Sequence, residues 1–245
     1  MRVAVIDFDV HHGNGTEEIA RAFLRKQRSK VNYRRHASPD LFFASIHLAD
    51  DGTSSGIHFY PGSGVQDDMI NNIVNVVVPP MWLAKGATAT ANGDTGERVR
   101  KKAKRFGESI DEPAQTQTKA SEPDAPQGGR LEWMKAFRER LIPALRAFSP
   151  ELVIVSAGFD AAASDVGNLG IDPKKNTRHQ GVNLRPDDYY DMTKMLLGVV
   201  HVCDGRLVSI LEGGYGHLKN LDSGITLSRE VFAKCVQSHI KALVT

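Results

Sequence analysis

The run Val3-Ala4-Val5-Ile6-Asp7-Phe8-Asp9-Val10-His11-His12-Gly13-Asn14-Gly15 (residues 3–15) decides how this chain is read. Val3 to Phe8 is nearly continuous in apolar, β-branched character, as a parallel strand covered on both faces should be. Alternate side chains of a strand share a face, so Asp7, Asp9 and His11 are expected to point together at the strand's carboxyl end. Open α/β sheets place their sites at that end. Gly-Asn-Gly then turns the backbone into a helix over Thr16 to Arg25, with Ile19 and Phe23 one turn apart on its apolar side.

Four further runs read as buried strands: Leu41 to Ile46, Ile73 to Val78, Leu152 to Ser156 and Leu207 to Leu211. A helix is predicted over Leu131 to Phe148, with Met134, Phe137, Leu141, Leu145 and Phe148 on one stripe and Pro143 kinking or restarting it. Another opens at Pro186, carries Asp187 and Asp188 in its first turn and runs to about Val200. Strands alternating with helices predict an α/β fold with a parallel sheet. Residues Ala84 to Gly129 break the pattern, since they hold almost no aromatic or β-branched side chains and are expected to form a disordered insert. Inside it, Arg98-Val99-Arg100-Lys101-Lys102-Ala103-Lys104-Arg105 reads equally as a solvated charge run or as a nuclear-localisation or nucleic-acid patch.

A chain of 245 residues that is 41% hydrophobic can bury the core of one domain carrying an insert. Its formal net charge of +2 names no nucleic-acid or membrane partner. The N-terminus has no signal-peptide layout and no window reaches transmembrane length, which predicts a nuclear or cytoplasmic protein. Cys203 and Cys235 lie far apart and outside any metal-binding spacing, so both are expected to be reduced thiols. A domain rarely opens with its central active-site strand, which raises the expectation of an N-terminally truncated domain.

Two more strand tips carry chemistry. Val153-Ile154-Val155-Ser156-Ala157-Gly158-Phe159-Asp160 is a buried strand, a glycine for close approach and an acid at the tip. Leu211-Glu212-Gly213-Gly214-Tyr215-Gly216 would bring backbone near a substrate and hold a phenol over it. Alone, an acid at a strand end is often a helix cap, and a tyrosine after two glycines is often packing. Together with the Asp-x-His pair, the three tips match the pattern of a catalytic zinc, with three protein ligands and one open position.

The segments DFDVHHGNGT (7–16), SIHLADDGTSSGIHFYPGSG (45–64), PELVIVSAGFDA (150–161) and LVSILEGGYG (207–216) together resemble the histone deacetylases, with HHGNG and LEGGY closest to the class II branch. The resemblance implies an arginase/deacetylase-like parallel sheet with helices on both faces. This chain, residues 1–245, would be a partial catalytic domain holding strands 4 to 8 of the usual eight, so that Leu207 to Leu211 becomes an exposed, aggregation-prone edge. It implies Asp9, His11 and Asp160 as zinc ligands and Tyr215 as the transition-state tyrosine. It implies a structural potassium ion at Asp7, Ser45 and the backbone around Asp9, His11 and Ile46. An acyl-lysine tunnel would be lined by Tyr60, Gly158, Phe159, Leu169, Gly213 and Gly214. The implied activity is zinc-dependent hydrolysis of N-acetyl-lysine in histone tails or other proteins, within a corepressor complex and without direct nucleic-acid or membrane binding.

Two departures qualify this. The family's adjacent histidine pair, which supplies the general base, has no counterpart among the nine histidines, and His12 is expected to face away from the site, so impaired activity is expected. After Asp160 the family's acid-Pro-Leu-Gly turn is replaced by Ala163-Ser164-Asp165-Val166-Gly167-Asn168-Leu169-Gly170. Alternatives are an acetylpolyamine amidohydrolase and a non-catalytic deacetylase-like scaffold. An arginase-type two-metal site is disfavoured by Gly13, Ala161 and Ala162 where extra carboxylates would be needed.

Overall fold

A computed structural model describes residues 1–29, 40–86, 129–221 and 224–245. The five expected strands form one parallel sheet: β1 (Val3–Asp7), β2 (Leu41–Leu48), β3 (Ile73–Val78), β4 (Leu152–Ala157) and β7 (Arg206–Leu211), in the order β3-β2-β1-β4-β7. Two antiparallel hairpins, β5–β6 (Leu169–Asp172, Thr177–Gln180) and β8–β9 (His217–Leu221, Gly224–Ser228), were not expected.

Strand alternation sorts the core. Ala4, Ile6 and Phe8 face one side with Phe42, Ala44, Ile46, Val74, Val76, Val153 and Val155. There they meet α3 (Arg130–Ala136), α4 (Ile142–Phe148) and α5 (Pro186–Val202), and α6 (Glu230–Val244) packs on α5. Met134, Phe137, Leu141 and Leu145 are buried as the stripe required, with Phe148 partly covered. The expected break before Pro143 takes the form of a π-turn over Phe137–Leu141. Proline donates no N–H to the preceding turn and its ring crowds the carbonyl there, and the wider turn accommodates both.

On the opposite face α1 (Asn14–Arg28) covers β1 and β2, but not through the residues expected. Ala20 and Leu24 are buried, whereas Ile19 is 72% and Phe23 42% exposed. The small Ala20 side chain lets the helix approach Phe43 and Ile73. Ile19 and Phe23 instead border a groove of about 410 Å³ with Met1, Val3 and Val5. Beyond α1 this face thins out, and β7, an edge of the sheet, exposes about half of Val208 and Ile210. Residues 84–86 of the expected insert close a short helix, α2 (Met81–Gly86), and Gly129 caps α3, while residues 87–128, including the basic run 98–105, lie outside the described residues. Cys203 and Cys235 are both free, and burial pushes the Cys235 thiol up to about 12, so it stays protonated and unreactive.

Beneath the sheet, His239 joins α6 to α5 and β7. The Thr193 hydroxyl donates to Tyr189 O at 2.6 Å, so His239 Nδ1 must donate to Thr193 Oγ1 at 2.7 Å, leaving Nε2 to accept from Ser209 Oγ at 2.8 Å. That network holds the neutral ring, and burial lowers its pKa below the usual 6.5. With the folded value below the unfolded one, the unfolded chain binds more protons as pH falls through 6.5, so this contribution is complete above that pH and is lost below it. Thermal melts from pH 7.5 to 5 should show stability falling with acid, and His239→Gln should flatten the upper part of that slope. An unchanged slope in the variant would remove His239 from the account.

Candidate metal centre

β1 ends at Asp7, and the chain then bends over Asp9 to His11, where the acids fix the turn through short-range hydrogen bonds. Asp7 Oδ1 accepts the Asp9 N–H at 3.0 Å, and Asp9 Oδ1 accepts the His11 N–H at 2.8 Å. Asp9 and His11 therefore emerge on one side. His12 turns to the other, its Nδ1 2.8 Å from Ser63 Oγ and its Nε2 2.8 Å from Glu17 Oε2, so it faces away from the cluster as expected. β4 pairs with β1 with Asp7 opposite Ser156, so the loop after β4 arrives beside the Asp9 loop. Asp160 Oδ1 accepts the Val10 N–H at 2.9 Å.

The result is a three-residue cluster. His11 Nδ1 lies 2.8 Å from Asp9 Oδ1 and 3.1 Å from Asp160 Oδ2. One ligand atom from each of Asp9, His11 and Asp160 falls within 4.8 Å of the others, and no second group of this kind occurs among the described residues. The cluster fits a cation. Asp160 is fully buried, and the His11 ring nitrogen at 3.1 Å is the one polar group its Oδ2 meets among the described residues. Burial lifts Asp160 to about 6 against the pull of His11. Burial alone would lower His11, but the hydrogen bonds and charges of Asp160 and Asp9 raise it to about 10. A proton on His11 thus supplies the positive charge two carboxylates demand, and a divalent ion bound by neutral His11 would balance them fully.

Two glycines shape the pocket around Asp9. A Cβ on Gly158 would lie 2.3 Å from Asp9 Oδ2 and 2.6 Å from Asp9 Cα, and one on Gly213 would lie 2.0 Å from Asp9 Oδ2. The Gly213 carbonyl accepts the Phe159 N–H at 2.8 Å, locking the two loops together. The other residues expected along a substrate tunnel divide. The Phe159 ring is buried against Phe8, Tyr189, Phe232 and His239, so its side chain packs in the core. Gly214 backs onto Phe232. Leu169 opens β5, opposite Gln180, and two residues earlier Gly167 touches both Asp160 and the Tyr215 ring. Tyr60 is exposed and meets His11 edge-on at 6.1 Å. The flatter contact belongs to Phe59, which is buried and stacks on His11 at 5.2 Å and 2°. Sequence reading passed over it, although Ile57 and Phe59 alternate as inward positions do.

Tyr215 is half-exposed, and its hydroxyl makes no hydrogen bond among the described residues. Desolvation and the charges of Asp160 and Asp9 push its phenol pKa up, so it remains a proton-bearing donor. Below the cluster, Asp7 is buried and driven well above the usual carboxylate range by that burial and by Asp9. Ser45 sits opposite it in register, its Oγ 2.9 Å from His47 Nδ1, and Ile46 is buried beside it.

The chain is similar to the type-2 histone deacetylase 2 of Dictyostelium discoideum, 29% identical over 99% of this chain and 10% of that protein. It is also similar to histone deacetylase 15 of Arabidopsis thaliana, 29% identical over 92% of this chain and 27% of that one. It therefore spans at most about a quarter of the length of these relatives. Among solved structures, the HDA15 HD domain superposes with a TM-score of 0.53 at 24% identity, covering 99% of this chain and 44% of that one. An acetylpolyamine aminohydrolase from Burkholderia pseudomallei gives 0.52 at 18% identity, over 98% of this chain and 44% of that one. These two likenesses bear on the fold, which is that of the arginase/deacetylase class. Residues 1–231 match the family model described as the histone deacetylase domain, a span that takes in all three strand tips and their converging side chains, and the chain belongs to that family.

Proposed function

We propose that this chain is part of a zinc-dependent deacetylase that hydrolyses the N-acetyl-lysine amide of histone tails or other proteins. The observation that carries the reading is the meeting of Asp9, His11 and Asp160 around one point, beside the Gly167 and Tyr215 contact. Two carboxylate oxygens and one imidazole nitrogen make a three-ligand set with a position left open, which suits zinc. Bound there, the ion would polarise the acyl carbonyl and a water. Tyr215 then donates a hydrogen bond to the oxygen on which negative charge develops. Phe59 holds the His11 ring in plane, and Tyr60 is placed to wall the acyl-lysine stem. Asp7 and Ser45, with the backbone of Asp9, His11 and Ile46, would hold a potassium ion whose charge relieves the buried Asp7 carboxylate.

His11 is the single imidazole in the cluster, and as a ligand it has no free lone pair with which to take a proton from water. General acid–base work is worth about 10²–10⁴-fold. The 245-residue chain by itself is therefore expected to turn over slowly, with the base supplied by residues outside this cluster. Nuclear or cytoplasmic residence and membership of a corepressor complex belong to this proposal. Among the described residues, no helix is long and apolar enough to cross a membrane.

The test is metal analysis of the chain stripped by chelator and reloaded with zinc. One ion per chain is expected, falling to none in Asp160→Asn. Slow hydrolysis of an acetyl-lysine peptide in preference to acetylspermidine should follow. Two ions per chain, or stoichiometric zinc in the variant, would defeat the reading. A preference for acetylspermidine would hand the chemistry to polyamine amide hydrolysis instead.

A further inference from the structure

Resting on the reading of Tyr215 as the hydrogen-bond donor to the developing oxyanion, we propose that Asp165 is its positioning residue, a carboxylate that ties the tyrosine loop to the metal-ligand loop. Asp165 is 2% exposed and forms no ion pair among the described residues. It accepts three backbone N–H groups instead. Oδ1 takes Gly167 at 2.8 Å, and Oδ2 takes Tyr215 at 3.0 Å and Gly216 at 2.6 Å. The loops close further through Val166 N–H to Gly216 O at 2.9 Å. Gly167, thus anchored, presents its bare Cα face to both Asp160 and the Tyr215 ring, where a Cβ would come within 2.8 Å of Asp160 Cβ and 3.0 Å of the ring carbons.

The geometry explains why the residue is an acid. Donors approach both oxygens, and only a carboxylate accepts on both sides. An asparagine must aim its amide N–H at one set of backbone N–H groups. Burying the charge is costly unless it is hydrogen-bonded, and the three N–H donors offset part of that cost. The Tyr215 hydroxyl is tied to nothing among the described residues, so ring placement depends on its backbone and on Gly167, both of which Asp165 holds. The function of the tether is to keep the phenol at a fixed distance from Asp160.

Three measurements test this on the full chain. In wild type, the Tyr215 and Gly216 amides should be protected from hydrogen exchange by about a hundredfold or more over an open loop; exchange at open-loop rates overturns the proposal. With 3-fluorotyrosine labelling, the Tyr215 ¹⁹F signal, assigned by its loss in Tyr215→Phe, should broaden or split in Asp165→Asn. The signal of buried Tyr189 should stay put and report an intact core. An unchanged Tyr215 signal overturns the proposal, and should Asp165→Asn not fold, the wild-type exchange result decides. With zinc bound, Asp165→Asn should lower kcat by about tenfold with KM and zinc affinity held within about twofold, as loss of a supporting contact does. In the Tyr215→Phe background it should add nothing further; additive losses mean Asp165 acts elsewhere. If Tyr215→Phe alone leaves kcat intact, it is the role given to Tyr215 that fails, while the exchange and fluorine results still judge the tether.

Discussion

Gly213→Ala should abolish tight zinc binding while leaving the fold nearly as stable as before. The added Cβ would stand 2.0 Å from Asp9 Oδ2 and 3.1 Å from Asp160 Oδ2, and its nearest neighbour is the free end of a carboxylate. That end can swing aside, and the Gly213 backbone lies outside the left-handed region, so alanine brings no strain of its own. The fold then loses about 1 kcal/mol, a shift of about 2–4 °C in a domain of this size. Swinging aside moves the whole Asp9 carboxylate, including the Oδ1 that lies 2.8 Å from His11 Nδ1, out of the three-residue cluster. Disturbing groups that merely support a ligand costs about 10–100-fold in metal affinity, so displacing a ligand should cost at least the upper figure. Gly158→Ala supplies the contrast. Its Cβ would also press on Asp9 Cα, 2.6 Å away, which no side-chain rotation relieves, and that variant should lose fold and metal together. Competition with a chromophoric chelator and a thermal melt measure both. Zinc affinity in Gly213→Ala equal to wild type would mean that Asp9 Oδ2 does not face the ion.

Four strands of this sheet were legible because they are buried or half-buried along their length, and the fifth, the exposed edge β7, because its sequence is still an apolar run. Leu152 to Ser156 and Ile73 to Val78 have no polar alternation to confuse with a surface helix, and they lie within a residue of the observed bounds. The tips were legible for a related reason: Asp9, His11 and Asp160 are polar residues at the ends of apolar runs. Their convergence follows from the parallel pairing of β1 with β4, which brings both carboxyl ends to the same edge of the sheet. What escaped the sequence depends on contacts distant along the chain. Asp165 reaches Tyr215, fifty positions further along the chain, and nothing in Ala-Ser-Asp-Val marks that acid as anything but a helix cap. The hairpins β5–β6 and β8–β9 are short and mixed in polarity, and Thr177-Arg178-His179-Gln180 extends only because Leu169–Asp172 is there to pair with it. Ile19 and Phe23 show the reverse failure. Periodicity read the apolar side of α1 at Ile19 and Phe23 and could not show that the smaller Ala20 fits against the sheet and leaves the larger side chains outside.

Tyr215→Phe should lower kcat by about 10²–10³-fold, corresponding to the loss of one oxyanion donor worth about 2.7–4 kcal/mol, with KM little changed. The phenol is held protonated by desolvation and by Asp160 and Asp9, and its hydroxyl is spent on no other hydrogen bond among the described residues. Phenylalanine keeps the ring and therefore the contact with Gly167, so neither the ligand loop nor the metal should be disturbed. Because the chain is expected to turn over slowly on acetyl-lysine, the comparison is best made on a trifluoroacetyl-lysine peptide, whose more electrophilic carbonyl reacts with less help from a base. The donor's share should persist on that substrate, since charge still develops on the same oxygen. Electron withdrawal spreads some of that charge, which places the expected loss nearer the lower end of the range. A rise in KM with kcat unchanged would make Tyr215 a substrate-binding wall. Equal rates in the two proteins would leave oxyanion stabilisation to the ion alone.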